Sequence, residues 1–157
     1  LSARLVRTQE FVASMRIYLD TCCLCRALDD QSQPRIARES KKLAEIIRSC
    51  ERGEHVWVTS TVVEDELTAT RDPFSRERFL AQLTDAAVWL ELNERAVRLA
   101  RLLEQKGLAR YDALHVAVAY TGRCDVFLTT DQRLIRRMAR LSTPLGMLVI
   151  NPVELKL

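Results

Sequence analysis

Five short apolar runs divide the chain, with stretches of helical period between them. The runs are Ile17-Tyr18-Leu19, Val56-Trp57-Val58-Thr59, Val88-Trp89-Leu90-Glu91-Leu92, Val126-Phe127-Leu128-Thr129 and Met147-Leu148-Val149-Ile150. Runs this short, rich in β-branched and aromatic residues, suit strands buried on both faces of a parallel sheet. Helical patterns occupy residues 35–51, 61–70, 74–84, 93–106, 111–120 and 132–141. In the first of these, Ile36, Leu43, Ile46, Ile47 and Cys50 share one face. Asn93 is placed to cap the helix that Gly107 closes. The alternation predicts an α/β domain with a five-stranded, mainly parallel sheet and right-handed crossovers that put helices on both faces. Strand order is not readable from the pattern. Neither is the way in which 93–106 shares a crossover with 111–120.

The 157 residues suffice for one domain with a usable core. With 48% hydrophobic and 29% charged residues the composition is globular, and a net charge of +3 identifies no partner by itself. No apolar run approaches the ~18 residues of a spanning helix, so no membrane association is expected. Met15 directly precedes the first strand. Residues 1–14 therefore read as an upstream or expression-derived segment and 15–157 as the domain, although Leu5, Val6, Phe11 and Val12 could still pack. Cys22, Cys23, Cys25, Cys50 and Cys124 make a poor disulfide framework and suit a reducing cytosol. Cys22-x-x-Cys25 has redox or zinc spacing, but no second close pair of ligands accompanies it. Buried small hydrophobes are the commoner use of free cysteine.

In an open α/β sheet, ligands bind beyond the carboxyl ends of the strands. Four acids fall at that edge. Asp20 ends the first strand, and Asp131 follows Thr129-Thr130 at the end of the fourth. Glu64 stands about one helical turn (~5 Å of rise) past the second strand. Asp112 opens the helix that leads back into the fourth strand. Each acid has a structural reading: Asp20 as a turn cap, Glu64 as the far end of a Thr61-x-x-Glu64 capping box, Asp112 and Asp131 as N-caps. Together they point to a cation, because clustered carboxylates raise one another's pKa unless a positive charge is present. An oxygen-only donor set suits Mg2+ or Mn2+, which keep waters for a substrate phosphate.

Tyr18-Leu19-Asp20-Thr21, Ser60 to Glu64, Asp112-Ala113-Leu114-His115-Val116-Ala117 and Leu128-Thr129-Thr130-Asp131 follow one another in the order of the landmarks of PIN domains. Val149-Ile150-Asn151-Pro152-Val153-Glu154-Leu155 is similar to the usual tail. The resemblance covers about residues 15–157. It implies a PIN-like three-layer α/β/α sandwich with strand order 3-2-1-4-5. It also implies Mg2+- or Mn2+-dependent RNA cleavage, with Asp20, Glu64, Asp112 and Asp131 in the positions of the family's acidic quartet. Many bacterial members are VapC-type toxins, so a small antitoxin partner and a homodimer are implied as well. The Cys22-Cys23 pair departs from the pattern, since many relatives carry Asn soon after the first Asp. His115, three residues after Asp112, reads as structural or as a support of the site.

The function expected is that of a metal-dependent endoribonuclease, the toxin of a type II toxin–antitoxin system, acting on RNA in the cytoplasm. Hydroxyls of Thr21, Thr129 and Thr130 could position phosphate or metal-bound water. Arg133, Arg136, Arg137 and Arg140, with Arg110 beside Tyr111, are candidate RNA contacts, against a solvated basic face. Rival enzymes lack their residues. A haloacid-dehalogenase-like phosphatase needs a second Asp where Cys22 stands, a receiver domain needs a Lys after a late strand, and no Gly-rich phosphate loop is present. The alternative outside these enzymes is a PIN-like RNA- or protein-binding module with little or no nuclease activity, against which the four acids argue.

Overall fold

In the computed structural model, which describes residues 13–141 and 145–157, the five apolar runs are five parallel strands of one sheet. They are β1 (Arg16–Leu19), β2 (Val56–Ser60), β3 (Val88–Leu90), β4 (Val126–Leu128) and β5 (Leu148–Ile150). Their order is β3-β2-β1-β4-β5, the order implied by the resemblance. Pairing is parallel throughout, with Tyr18 aligned on Val58 at one side and Phe127 at the other. β1 is thus the middle strand. Ile17, Tyr18 and Leu19 are at most 1% exposed, which is why this run carries no charged residue before Asp20.

Seven α-helices cover the two faces among the described residues: α1 (Thr21–Cys25), α2 (Pro34–Glu51), α3 (Thr61–Thr68), α4 (Pro73–Gln82), α5 (Glu94–Gln105), α6 (Arg110–Thr121) and α7 (Gln132–Ala139). The architecture is the expected α/β/α sandwich. α5 packs on α6, which is how both helices fit between β3 and β4. The turn between them uses Gly107 at φ 95, a left-handed conformation that favours glycine. α6 is buried along most of its length through Ala113, His115, Val116, Ala117, Val118 and Ala119. No helix among the described residues is long and apolar enough to cross a membrane. Residues 1–14, but for Ala13 and Ser14, fall outside the described residues, and so do the packing candidates Leu5, Val6, Phe11 and Val12.

Three local features differ from the sequence reading. α1 has no counterpart in it, because Thr21-Cys22-Cys23-Leu24-Cys25 is too short to show a helical period. Ser60, not Thr61, caps α3, its side chain accepting from the Val63 N–H; Thr61 is already the first helical residue, and Glu64 is therefore outside a capping box. Ala109 precedes α6, so Asp112 is its third residue rather than its cap.

One buried ion network ties the far parts of the fold to the sheet edge. Glu39 of α2 is 1% exposed and accepts from Arg35 Nε at 2.9 Å and from Asn151 Nδ2, beyond β5, at 2.7 Å. Arg26 Nε approaches its other oxygen at 2.8 Å, an ionic contact too poorly aligned to count as a hydrogen bond. Arg35 also donates to the Thr130 carbonyl at 2.8 Å, one residue before Asp131. Replacing Glu39 by Gln removes the buried carboxylate that Arg26 and Arg35 share and leaves Arg26 with Asp29, its more exposed partner, alone. The expected loss is roughly 2–3 kcal/mol. At about 2–4 °C per kcal/mol for a domain of this size, thermal unfolding should show a midpoint lower by about 5–10 °C.

Candidate active site

The sheet edge is built around Asp20. Its backbone N–H still pairs with the Leu128 carbonyl at 3.0 Å, so the residue leaves β1 in register with β4. Its side chain caps α1: Oδ1 accepts the Thr21 N–H at 2.8 Å. Oδ2 accepts the Thr129 hydroxyl at 2.7 Å and the Cys22 thiol at 3.3 Å. The cap reading of Asp20 therefore holds, and it leaves the carboxylate at the sheet edge. Thr129 is fully buried, and its Oγ1 also accepts the Asp131 N–H at 3.1 Å, so one hydroxyl links two of the acids. Asp131 is the N-cap of α7, with Oδ1 taking the N–H groups of Arg133 and Leu134. The Cys22 sulfur in turn accepts the Thr130 N–H at 3.3 Å, so this departure from the family pattern ties α1 to the loop after β4.

Asp112, half-buried in the first turn of α6, faces Asp20 and Asp131. Burial raises its carboxyl pKa, and the charges of Asp20 and Asp131 raise it further; His115 opposes them and Glu66 adds to them. The acid that α3 contributes is thus Glu66. Its Oε2 lies 2.6 Å from Nε2 of His115, a nitrogen that is also 3.4 Å from Thr21 Oγ1 and 3.8 Å from Asp20 Oδ1. Glu64 is exposed and takes no part in this cluster. The reason is helical geometry: two residues are about 200° apart around the axis. The buried face of α3 is Val62, Val63 and Leu67, and residue 66 stands four and three positions after the first two. That spacing was present in the sequence and was masked by the apparent capping box.

Of the residues expected to assist, Thr21 and Thr129 border the acids directly, whereas Thr130 enters through its backbone groups. Arg133, Arg136 and Arg137 of α7 and Arg140, its C-cap, line with Lys106 and Leu141 an open cavity of about 540 Å³. Arg137 is tied to the Gly107 carbonyl. Arg110 is exposed at the start of α6 and is not among these lining residues. The cysteines are free thiols, and burial pushes Cys25 up to about 11 and Cys124 up to about 12, far from a reactive thiolate.

Whether the acids suit a divalent ion can be judged from their chemistry. Among the described residues no three His, Cys, Asp or Glu side chains are grouped so that they could hold a metal ion by themselves. Mg2+ does not require such a group, since it commonly uses one or two carboxylates and completes its shell with water and substrate oxygens. The rise in the Asp112 pKa, caused by burial and then by the charges of Asp20 and Asp131, is what a cation would relieve. The donor set fits.

A family model described as PIN domain matches residues 17–141. No curated protein matches the chain. Among solved structures, a chain of VapBC2 from Rickettsia felis, determined bound to a DNA fragment from its promoter, is similar over 87% of this chain and 98% of its own. The TM-score is 0.57 and the identity 15%, a likeness of fold.

The raised pKa of Asp112 has a sign that can be measured. Its ionised form is disfavoured in the fold, so the metal-free protein gains stability from this group as pH falls through the folded pKa. Asp112→Asn removes the penalty. In chelator at pH 7 the variant should unfold at a higher temperature than the parent, and the gap should close as the pH is lowered.

Proposed function

The chain belongs to the PIN domain family, and on that premise we propose that it is a divalent-metal-dependent endoribonuclease, the toxin of a type II toxin–antitoxin pair. The observation that carries the reading is the gathering of Asp20, Asp112 and Asp131 with Glu66 at the carboxyl edge of β1 and β4. Those four would hold Mg2+ or Mn2+. When bound, the ion supplies a Lewis acid for the phosphoryl oxygen and lowers the pKa of the attacking water. Asp20 offers it a carboxylate already oriented by three donors, and Thr129 keeps that carboxylate in step with the chain at Asp131. The half-burial of Asp112 limits competing water at the place where the charges meet.

RNA is the substrate class favoured by the surroundings. The cavity beside α7 is lined by Lys106 and four arginines with no carboxylate among them, which suits a polyanion. Such contacts supply affinity and register and leave sequence choice to other groups. The antitoxin partner and a homodimer are proposed from family membership and from the likeness to a chain of the Rickettsia felis VapBC2 assembly.

Purified protein should cleave RNA with Mg2+ or Mn2+ and not in chelator. Asp20→Asn and Asp112→Asn should abolish cleavage with circular dichroism unchanged. Glu66→Gln should lose most of the activity, and Glu64→Gln little. Full activity in Asp20→Asn would refute the nuclease site, and absence of cleavage by the parent protein would leave the binding-module alternative. Binding of single-stranded RNA to the Asp20→Asn protein should weaken with salt. Replacing Arg133 or Arg136 by Ala should lower the slope of log affinity against log salt by roughly 0.7 per lost phosphate contact. An unchanged slope would mark α7 as a solvated face.

A further inference from the structure

Beneath the acidic edge, four polar side chains from four elements are joined end to end. Ser60 Oγ, at the end of β2, lies 2.7 Å from the Tyr18 hydroxyl of β1. That hydroxyl lies 2.8 Å from Nδ1 of His115 in α6, and Nε2 of the same ring lies 2.6 Å from Glu66 Oε2 in α3. Ser60, Tyr18 and His115 are at most 1% exposed, so water cannot substitute for any of these bonds. The Tyr18 ring is also fixed by stacking on Phe127 at 5.3 Å and by an edge contact with the His115 ring at 6.0 Å.

With a neutral His115 ring, the donors and acceptors run in one direction. An ionised Glu66 only accepts, so Nε2 must carry the proton. A neutral imidazole then leaves Nδ1 as an acceptor. The Tyr18 hydroxyl, a phenol buried 2.8 Å from that nitrogen, then donates to Nδ1. The Ser60 hydroxyl must then donate to the Tyr18 oxygen, while Ser60 Oγ accepts the Val63 N–H as the cap of α3. Every group is satisfied once, with no proton left over.

We propose that Ser60, Tyr18 and His115 form a one-way hydrogen-bond chain that positions the Glu66 carboxylate for the ion. The consequence for the ion rests on the metal-dependent reading above; the direction of the chain does not. His115 is a positioning residue here. It binds the Glu66 oxygen from below, and its Nε2 also borders Thr21 and Asp20, so a change at the buried Tyr18 is transmitted to the acids without touching them. A network that merely stabilised the core would change unfolding and leave metal affinity alone. Partners that orient liganding side chains instead cost roughly 10–100-fold in metal affinity when removed.

Two measurements on the full chain decide it. The sequence holds only two histidines, His55 and His115, so nitrogen-labelled imidazole NMR of the metal-free protein can assign each ring. His115 should carry its proton on Nε2 with Nδ1 bare; a proton on Nδ1, or on both nitrogens, would overturn the chain. Mn2+ affinity should then be read directly, from the electron-spin signal of the free ion. Tyr18→Phe, which keeps the stack on Phe127, and His115→Ala should bind Mn2+ at least about tenfold more weakly. His115→Gln, whose amide can still donate to Glu66, should stay within about threefold of the parent. Parent-like affinity in Tyr18→Phe and His115→Ala would refute the positioning role. Failure of the parent itself to bind Mn2+ would sink the metal reading, with the NMR result still deciding the chain.

Discussion

Everything at the carboxyl edge depends on the way Asp20 is pinned at the seam between β1 and β4. Three donors reach its side chain: the Thr21 N–H, the Thr129 hydroxyl and the Cys22 thiol. They come from both sides of the seam, so the carboxylate is fixed relative to two strands at once. Hydrogen bonds to an ionised acceptor are the strong ones, and here they also join segments about 109 residues apart in sequence. Strand order explains why this seam is the site. With β1 between β2 and β4, the chain runs to opposite sides from adjacent strands, which opens a crevice at their carboxyl ends.

The strands and most helices were legible because burial writes itself into periodicity. β1 and β4 are continuous apolar runs buried on both faces, and α6 is apolar almost all round because it lies within the core. What could not be read was set by groups that periodicity does not report. α1 is five residues long and exists because Asp20 caps it, so it depends on a side-chain hydrogen bond rather than on a pattern. The Glu39 network joins α2 to the tail and to Thr130 across separations of 95 and 112 residues, which no local rule predicts.

The site shows the same division at finer scale. The placement of Asp20, Asp112 and Asp131 at the sheet edge was legible because each sits at the end of a strand or the start of a helix, positions that survive an error of a residue. Glu64 and Glu66 differ by two residues within a helix, where such an error moves a side chain to the opposite face. The apparent Thr61-x-x-Glu64 box won because capping chemistry fits it. The actual cap, Ser60, stands one residue earlier, and residue 66, on the same side as Val62 and Val63, is the one that meets His115 Nε2 at 2.6 Å.

Function and stability pull against each other at this edge. Ionised Asp112 is held next to Asp20 and Asp131 at a cost, and a fold free to relax would separate them. What prevents relaxation is that the acids around Asp112 are fixed by groups belonging to different parts of the core. Asp20 is held by β4 through Thr129, and the stretch before Asp131 by α2 through Arg35. Glu66 is held by β1 through Tyr18 and His115. No single helix can move its carboxylate away without breaking a buried hydrogen bond elsewhere. The repulsion is therefore retained in the folded state, where it favours the arrival of a cation.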